Sequence, residues 1–317
     1  MKSKSKPTKK ANDSNVSIIE VGLRDGLQNE KTTLSVSDRH ELARRLAIAG
    51  SRDLELGAFV SAQWVPQMAG SMHLITSVIE ERRAKDSVFK KARLSALVPN
   101  ERGLEAAIES GVERIAIFAS ASETFSKKNI NCTIKESFVR YKTVIDEAKR
   151  NGLTVRGYIS MVFGCPFEGK INEVKAVKYA AKLAELGCDE VSIGDTIGVA
   201  DPKQVTRIGK ALISELGKKQ LAMHFHDTRG TALANILASL EIGLRSFDSS
   251  IGGLGGCPYA PAATGNVATE DVVYMLHRMG LKTGLDLAKL IETARWLQPK
   301  IGHELPSKVS RAGLPIT

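Results

Sequence analysis

At 317 residues with 43% hydrophobic and 25% charged side chains, the chain is an ordinary globular protein with ample core, and its length permits one large domain or two. No apolar run is long enough to cross a membrane. Four widely spaced cysteines without C-x-x-C pairing argue against a disulfide scaffold and a structural zinc site. The net charge of +10 includes the five lysines 2, 4, 6, 9 and 10, the remainder is scattered, and no basic-aromatic element of a nucleic-acid binder accompanies it.

In chain order, residues 1–15 form a solvated basic tail, without the arginine and hydrophobic stripe of a mitochondrial presequence, so the cytoplasm is the expected compartment. Residues 16–317 then alternate strand and helix. Short β-branched or apolar runs occur at Val16 to Val21, Asp53 to Leu56, Arg93 to Val98, Arg114 to Phe118, Thr154 to Ser160, Glu190 to Ile193, Leu221 to His226 and Arg245 to Ser249. Helical periodicity lies between them at Asp38 to Ala49, Glu101 to Ser110, Ile134 to Arg150, Glu173 to Leu186, Pro202 to Leu216 and Thr231 to Ile242. Gly50, Gly111, Gly152, Gly187 and Gly243 close five of these helices, where a C-cap requires the left-handed conformation.

A repeated βα unit implies a parallel sheet. Eight units, with no G-x-G-x-x-G after the first strand, favour an α/β fold closed as a TIM (β/α)8 barrel over an open doubly wound sheet. Two further helical patterns, Thr269 to Met279 and Leu285 to Trp296, exceed the barrel's needs and are expected near the catalytic mouth or at a subunit contact. A homodimer is the expected assembly, with no nucleic-acid or membrane partner.

Within this frame His224 and His226 stand at i and i+2 in an apolar run, so their imidazoles leave one face of a strand and can meet one ion. Packed histidines also occur at this spacing. The position, at a strand's C-terminal end just before Asp227-Thr228 and a helix, is where α/β folds collect ligands. A cation needs more than two groups, and Asp25 and Asn266 are available. Arg24 and Asp25 follow strand one, Glu55 closes strand two, Arg156 and Tyr158 lie on strand five and Asp195 follows strand six. All fall where barrels gather catalytic groups.

The runs Glu20 through Glu30, Trp64-Val65-Pro66-Gln67-Met68, Lys127 through Asn131, Gly194 through Gly198, Gly252 through Tyr259 and Gly265-Asn266 carry a resemblance over about Val16 to Val309. The chain resembles the 3-hydroxy-3-methylglutaryl-CoA lyases, metal-dependent lyases with an Asp-Arg-Glu-type site on a TIM barrel. The resemblance implies that Asp25, His224, His226 and Asn266 hold a divalent cation, Mg²⁺ or Mn²⁺ suiting the mixed nitrogen and oxygen set. It implies an acyl-CoA thioester substrate, contacted by Arg24, Gln28, Arg156 and Tyr158, and cleavage to acetyl-CoA and a 3-oxoacid. Arg24 would offset charge on the thioester oxygen, with Glu55 among the catalytic carboxylates, and Asp195 or Asp25 would take the hydroxyl proton. Cys257, at the end of a glycine-rich loop, would protonate the acetyl-CoA enolate as the loop closes. Ala58, Phe225 and Arg229 depart from the family pattern. Phe225 should face away from the ion by strand alternation, while Ala58 and Arg229 bear on the acyl pocket. A lyase for another branched 3-hydroxyacyl-CoA, or a condensing enzyme of the same lineage, is the alternative.

Overall fold

The computed structural model describes residues 15–256 and 265–315. Eight parallel strands close into a barrel in sequence order. They are β1 (Ser17–Glu20), β2 (Asp53–Ala58), β3 (Arg93–Leu97), β4 (Arg114–Ser120), β5 (Thr154–Ser160), β6 (Glu190–Asp195), β7 (Leu221–Phe225) and β8 (Ser246–Ser249). Closure is direct, with Ser17 to Glu20 of β1 in register with Ser246 to Ser249 of β8.

The outer ring follows the expected periodicity: α1 (Val36–Ile48), α2 (Ser71–Arg82), α3 (Glu101–Ser110), α4 (Glu123–Ile130), α5 (Ile134–Arg150), α6 (Glu173–Glu185), α7 (Pro202–Leu216) and α8 (Ala232–Glu241). Local chemistry sets their ends. Thr133 and Glu136 form a reciprocal capping box on α5, and Asp201 accepts from the Lys203 and Gln204 amides with Pro202 in the first turn of α7. Removing such a cap costs about 1 kcal/mol. The five glycines named above all take positive φ. Sequence periodicity overlooks α2 and α4. The first starts at Gly70 with no capping side chain and carries Ile, Thr and Val, whose stiff χ1 weakens the helical signal.

The C-terminal region is α9 (Thr269–Arg278), α10 (Leu287–Ile301) and α11 (Lys308–Ala312). Its first two helices are not wholly surplus to the barrel: α9 packs on α8 and α10 on α1, so together they complete the ring at the eighth unit. The segment between α10 and α11 also reaches the end of β8, where the Ser307 amide donates to Gly252 O at 3.1 Å. Among the described residues no helix is long and apolar enough to cross a membrane.

The barrel interior is polar toward its N-terminal end. Asp53 pairs with Arg93 and, at 3.6 Å, with Arg114; Arg114 donates to Glu190 at 3.0 Å and Arg156 to the same carboxylate at 2.6 Å. In β2 the pairing with β3 slips by one residue between Glu55 and Gly57. The extra residue reverses the alternation, so that Glu55 points inward while Gly57 faces the helices, where a Cβ would meet Ser71 Oγ at 2.5 Å.

Candidate active site

The site begins with backbone geometry at the end of β1. Residues 22–26 form one wide π-type turn in which the amides of Arg24, Asp25 and Gly26 all reach Val21 O, at 3.1, 2.8 and 3.1 Å. Gly22 is required by space: a Cβ there would lie 2.6 Å from Glu20 Oε1 and 2.9 Å from the Ile251 side chain. The turn places Arg24 and Asp25 side by side at the C-terminal mouth.

Arg24 is 6% exposed; its Nε donates to Glu55 Oε1 and its Nη1 to Asp25 Oδ1, and its guanidinium lies 5.2 Å from the centre of the Tyr158 ring. Glu55 accepts from Tyr158 Oη at 2.8 Å through its other oxygen. Burial works against the guanidinium's charge, but Glu55 and Asp25 outweigh it and raise the pKa of Arg24 further. The cation is thus permanently charged and fixed in direction.

Asp25 Oδ2 stands 3.8 Å from His224 Nε2 and 3.9 Å from His226 Nε2, and it accepts from Asn266 Nδ2 at 2.8 Å. The first two distances exceed hydrogen bonds and suit ligands sharing one ion, and the three donor atoms lie within 4.8 Å of one another. Protonation states agree. Burial, seconded by His224, lowers His226 to about 4, so the ring is neutral near pH 7, and its buried Nδ1 has no hydrogen-bond partner among the described residues. Asp25 is held below the usual carboxylate range because Arg24, His224 and His226 overcome its burial. Two imidazoles, an ionised carboxylate and a neighbouring amide make a donor set that fits a divalent cation.

Arg24, Asp25, His224 and His226 line a cavity of about 600 Å³, together with Gln28, Tyr158 and Thr196, whereas Asn266 lines a second, smaller cavity. Leu97, Phe118, Phe125 and Ile159 supply apolar lining to the larger one, and Trp64, Lys128 and Arg140 line it as well. The expected contact residues Arg24, Gln28 and Tyr158 therefore reach the cavity.

Three expected placements need correction. Arg156 is not among the cavity residues: it is 1% exposed and bonded to Glu190, Tyr158 and Asp248, because its early position in β5 puts it on the barrel floor. Asp195 is the last residue of β6, and its carboxylate turns into the following loop, accepting the Val199 and Ala200 amides at 2.9 and 3.0 Å. Burial pushes it up to about 6. Glu55 lies in mid-strand, bound to Arg24 and Tyr158, and does not line the cavity. Of the departures, Phe225 packs on Phe163 at 6.0 Å between ring centres, on the face opposite the histidines. Ala58 is buried, and Arg229 donates to Ile197 O and Gly198 O; neither lines the cavity. Cys257 lies outside the described residues.

Sequence reasoning missed Asp248, whose Oδ2 is 3.0 Å from His224 Nδ1. A lone aspartate in a short Ser-flanked strand carries no metal-site signature; only register with β7 sets it beside His224.

Comparison with known proteins follows the same outline. Residues 15–297 match the HMGL-like family. The hydroxymethylglutaryl-CoA lyase of Pseudomonas mevalonii is 47% identical over 301 residues, covering 95% of this chain and 96% of that protein. The 3-hydroxy-3-isohexenylglutaryl-CoA/hydroxy-methylglutaryl-CoA lyase of Pseudomonas aeruginosa is 46% identical over 297 residues, covering 94% and 96%. The crystal structure of the Bacillus subtilis HMG-CoA lyase superposes with a TM-score of 0.90 at 43% identity, covering 94% of this chain and 98% of that one.

Proposed function

The chain belongs to the HMGL-like family, and from that premise we propose that it cleaves 3-hydroxy-3-methylglutaryl-CoA to acetyl-CoA and acetoacetate. The observation that carries the reading is the meeting of Asp25, His224 and His226 beside a fixed Arg24 in the lining of one cavity. Asp25, His224, His226 and Asn266 would hold a divalent cation, Mg²⁺ or Mn²⁺, which when bound acidifies a substrate hydroxyl.

The remaining work falls to the chain's own groups. Cleavage removes the C3 hydroxyl proton, converts C3 to the ketone of acetoacetate and breaks the C2–C3 bond, leaving C2 as the acetyl-CoA enolate. Arg24, oriented by Glu55, offers a preorganised cation where the thioester oxygen gains charge. A base must first reach its proton, and of the two candidate carboxylates Asp25 lines the cavity and Asp195 does not. We therefore assign the hydroxyl proton to Asp25. Cys257, by family resemblance, returns a proton to C2. Lys128 and Arg140 lend the cavity a positive field suited to the anionic nucleotide part of a CoA thioester.

A longer branch at C3 is the second reading, supported by the apolar lining of Leu97, Phe118 and Ile159. The test is acetyl-CoA release from 3-hydroxy-3-methylglutaryl-CoA before chelation, after chelation, and after return of Mg²⁺ or Mn²⁺. Loss and recovery of turnover are expected. Full turnover in metal-free protein would overturn the metal assignment, and no release under any condition would overturn the substrate.

A further inference from the structure

We propose that Asp248 is a positioning residue that decides which nitrogen of His224 carries the proton, and so keeps Nε2 free to face Asp25. The inference rests on reading Asp25, His224 and His226 as metal ligands, but its starting point is a hydrogen-bond network that the reading does not use.

Asp248 is fully buried in β8, in register with His224 of β7. Its two oxygens have distinct partners. Oδ1 accepts from Arg156 Nη2 at 2.5 Å, while Oδ2 accepts from Ser192 Oγ at 2.9 Å and lies 3.0 Å from His224 Nδ1. A guanidinium can only donate, and a carboxylate paired with it can only accept. The proton shared with His224 must then sit on the imidazole, at Nδ1. A ring whose single proton sits on Nδ1 carries its lone pair on Nε2, the atom 3.8 Å from Asp25 Oδ2. Among the described residues His226 has no such lock, since its buried Nδ1 is without a hydrogen-bond partner there.

Arg156 thus has a task other than touching substrate. Its Nε and Nη1 are held by Glu190 at 2.6 Å and Tyr158 at 2.8 Å, which fixes the guanidinium against Asp248 Oδ1. The order of the network is Glu190, Arg156, Asp248, His224, running from the barrel floor up to the cavity.

Asp248→Asn tests the direction of this argument. The amide must still present an oxygen to Arg156, because Arg156 offers no acceptor, so its NH₂ is turned toward His224 and Ser192. An NH₂ facing Nδ1 makes Nδ1 the acceptor and moves the imidazole proton to Nε2, where it blocks coordination. The shape of the residue is retained, and the change is one of tautomer.

Two measurements read it. Nitrogen-15 spectra of histidine-labelled, metal-free protein, with His224 assigned through His224→Gln, should show the Nδ1–H tautomer in the wild type and Nε2–H in Asp248→Asn. Calorimetric titration with Mn²⁺ should show a loss of affinity of roughly 10- to 100-fold in Asp248→Asn. Ser192→Ala removes a donor from the same oxygen without altering the tautomer, and it should bind Mn²⁺ like the wild type. A wild type that does not bind Mn²⁺ would defeat the metal reading while the tautomer assignment still stood or fell on the spectra. Equal Mn²⁺ affinity in wild type and Asp248→Asn would overturn the inference, as would an Nε2–H tautomer in the wild type. The wild-type spectrum alone decides if Asp248→Asn does not fold.

Discussion

Replacing Glu270 by glutamine should make the protein's stability less sensitive to pH. Glu270 stands in the first turn of α9, wholly buried, and both its oxygens accept from the Gly252 amide, at 2.9 and 3.1 Å. Glu20 is buried nearby, accepting from Gly22 N, Ile251 N and Thr269 Oγ1. Burial is the chief cause that lifts Glu270 from 4.5 to about 8 and Glu20 to about 7, and Glu20's charge adds to the rise at Glu270. A carboxyl whose pKa is raised on folding keeps a proton that the unfolded chain gives up. Its contribution to stability therefore falls as pH rises from the unfolded value toward the folded one. For Glu270 the linkage integral between about pH 5.5 and about pH 8 is on the order of 3 kcal/mol of stability lost. Glutamine resembles the protonated acid in shape, keeps an acceptor for Gly252 and does not titrate. Urea unfolding followed by circular dichroism at the two pH values should show that the wild type's loss of stability shrinks by about this amount in Glu270→Gln. An unchanged pH slope would mean that Glu270 is ionised in the fold and that the reasoning from burial is wrong.

Three other perturbations follow from the site. Arg24→Gln should lower turnover by about two to three orders of magnitude through loss of one preorganised donor. It should also lower stability by roughly 3–5 kcal/mol, because the fully buried Glu55 loses its ionic partner. Steady-state kinetics and urea titration read the two effects, and near-normal turnover would place the charge stabilisation elsewhere. His226→Ala should weaken Mn²⁺ binding in calorimetry by removing one of few protein ligands; an unchanged affinity would take His226 out of the site. Cys257→Ala should lose most of its turnover while keeping its melting temperature, and thiol alkylation should inactivate the wild type. A fully active alanine variant would end the proton-donor role.

Much of this protein is written in short-range pattern. Strand and helix alternation is a matter of apolar period and of caps such as Thr133, Asp201 and Gly111, all decided within a few residues, so the eight strands, six of the helices between them and the closure of the barrel were legible without coordinates. The pair His224 and His226 was legible for the same reason, since i and i+2 on a strand share a face whatever surrounds them. What the chain does across strands was not. Arg156 reads as a strand residue of a catalytic barrel, but depth along β5 sends it to the floor, where it holds Asp248 rather than lining the cavity. Asp195 has the right strand end, yet two amides of its own loop claim its carboxylate. The slip after Glu55 and the register of β7 with β8 belong to the closed sheet, not to either segment. Sequence by itself determined the strands, their order and the two histidines. Tertiary structure decided which polar groups face the cavity and which are spent on one another, because burial and cross-strand register come into being only when the barrel closes.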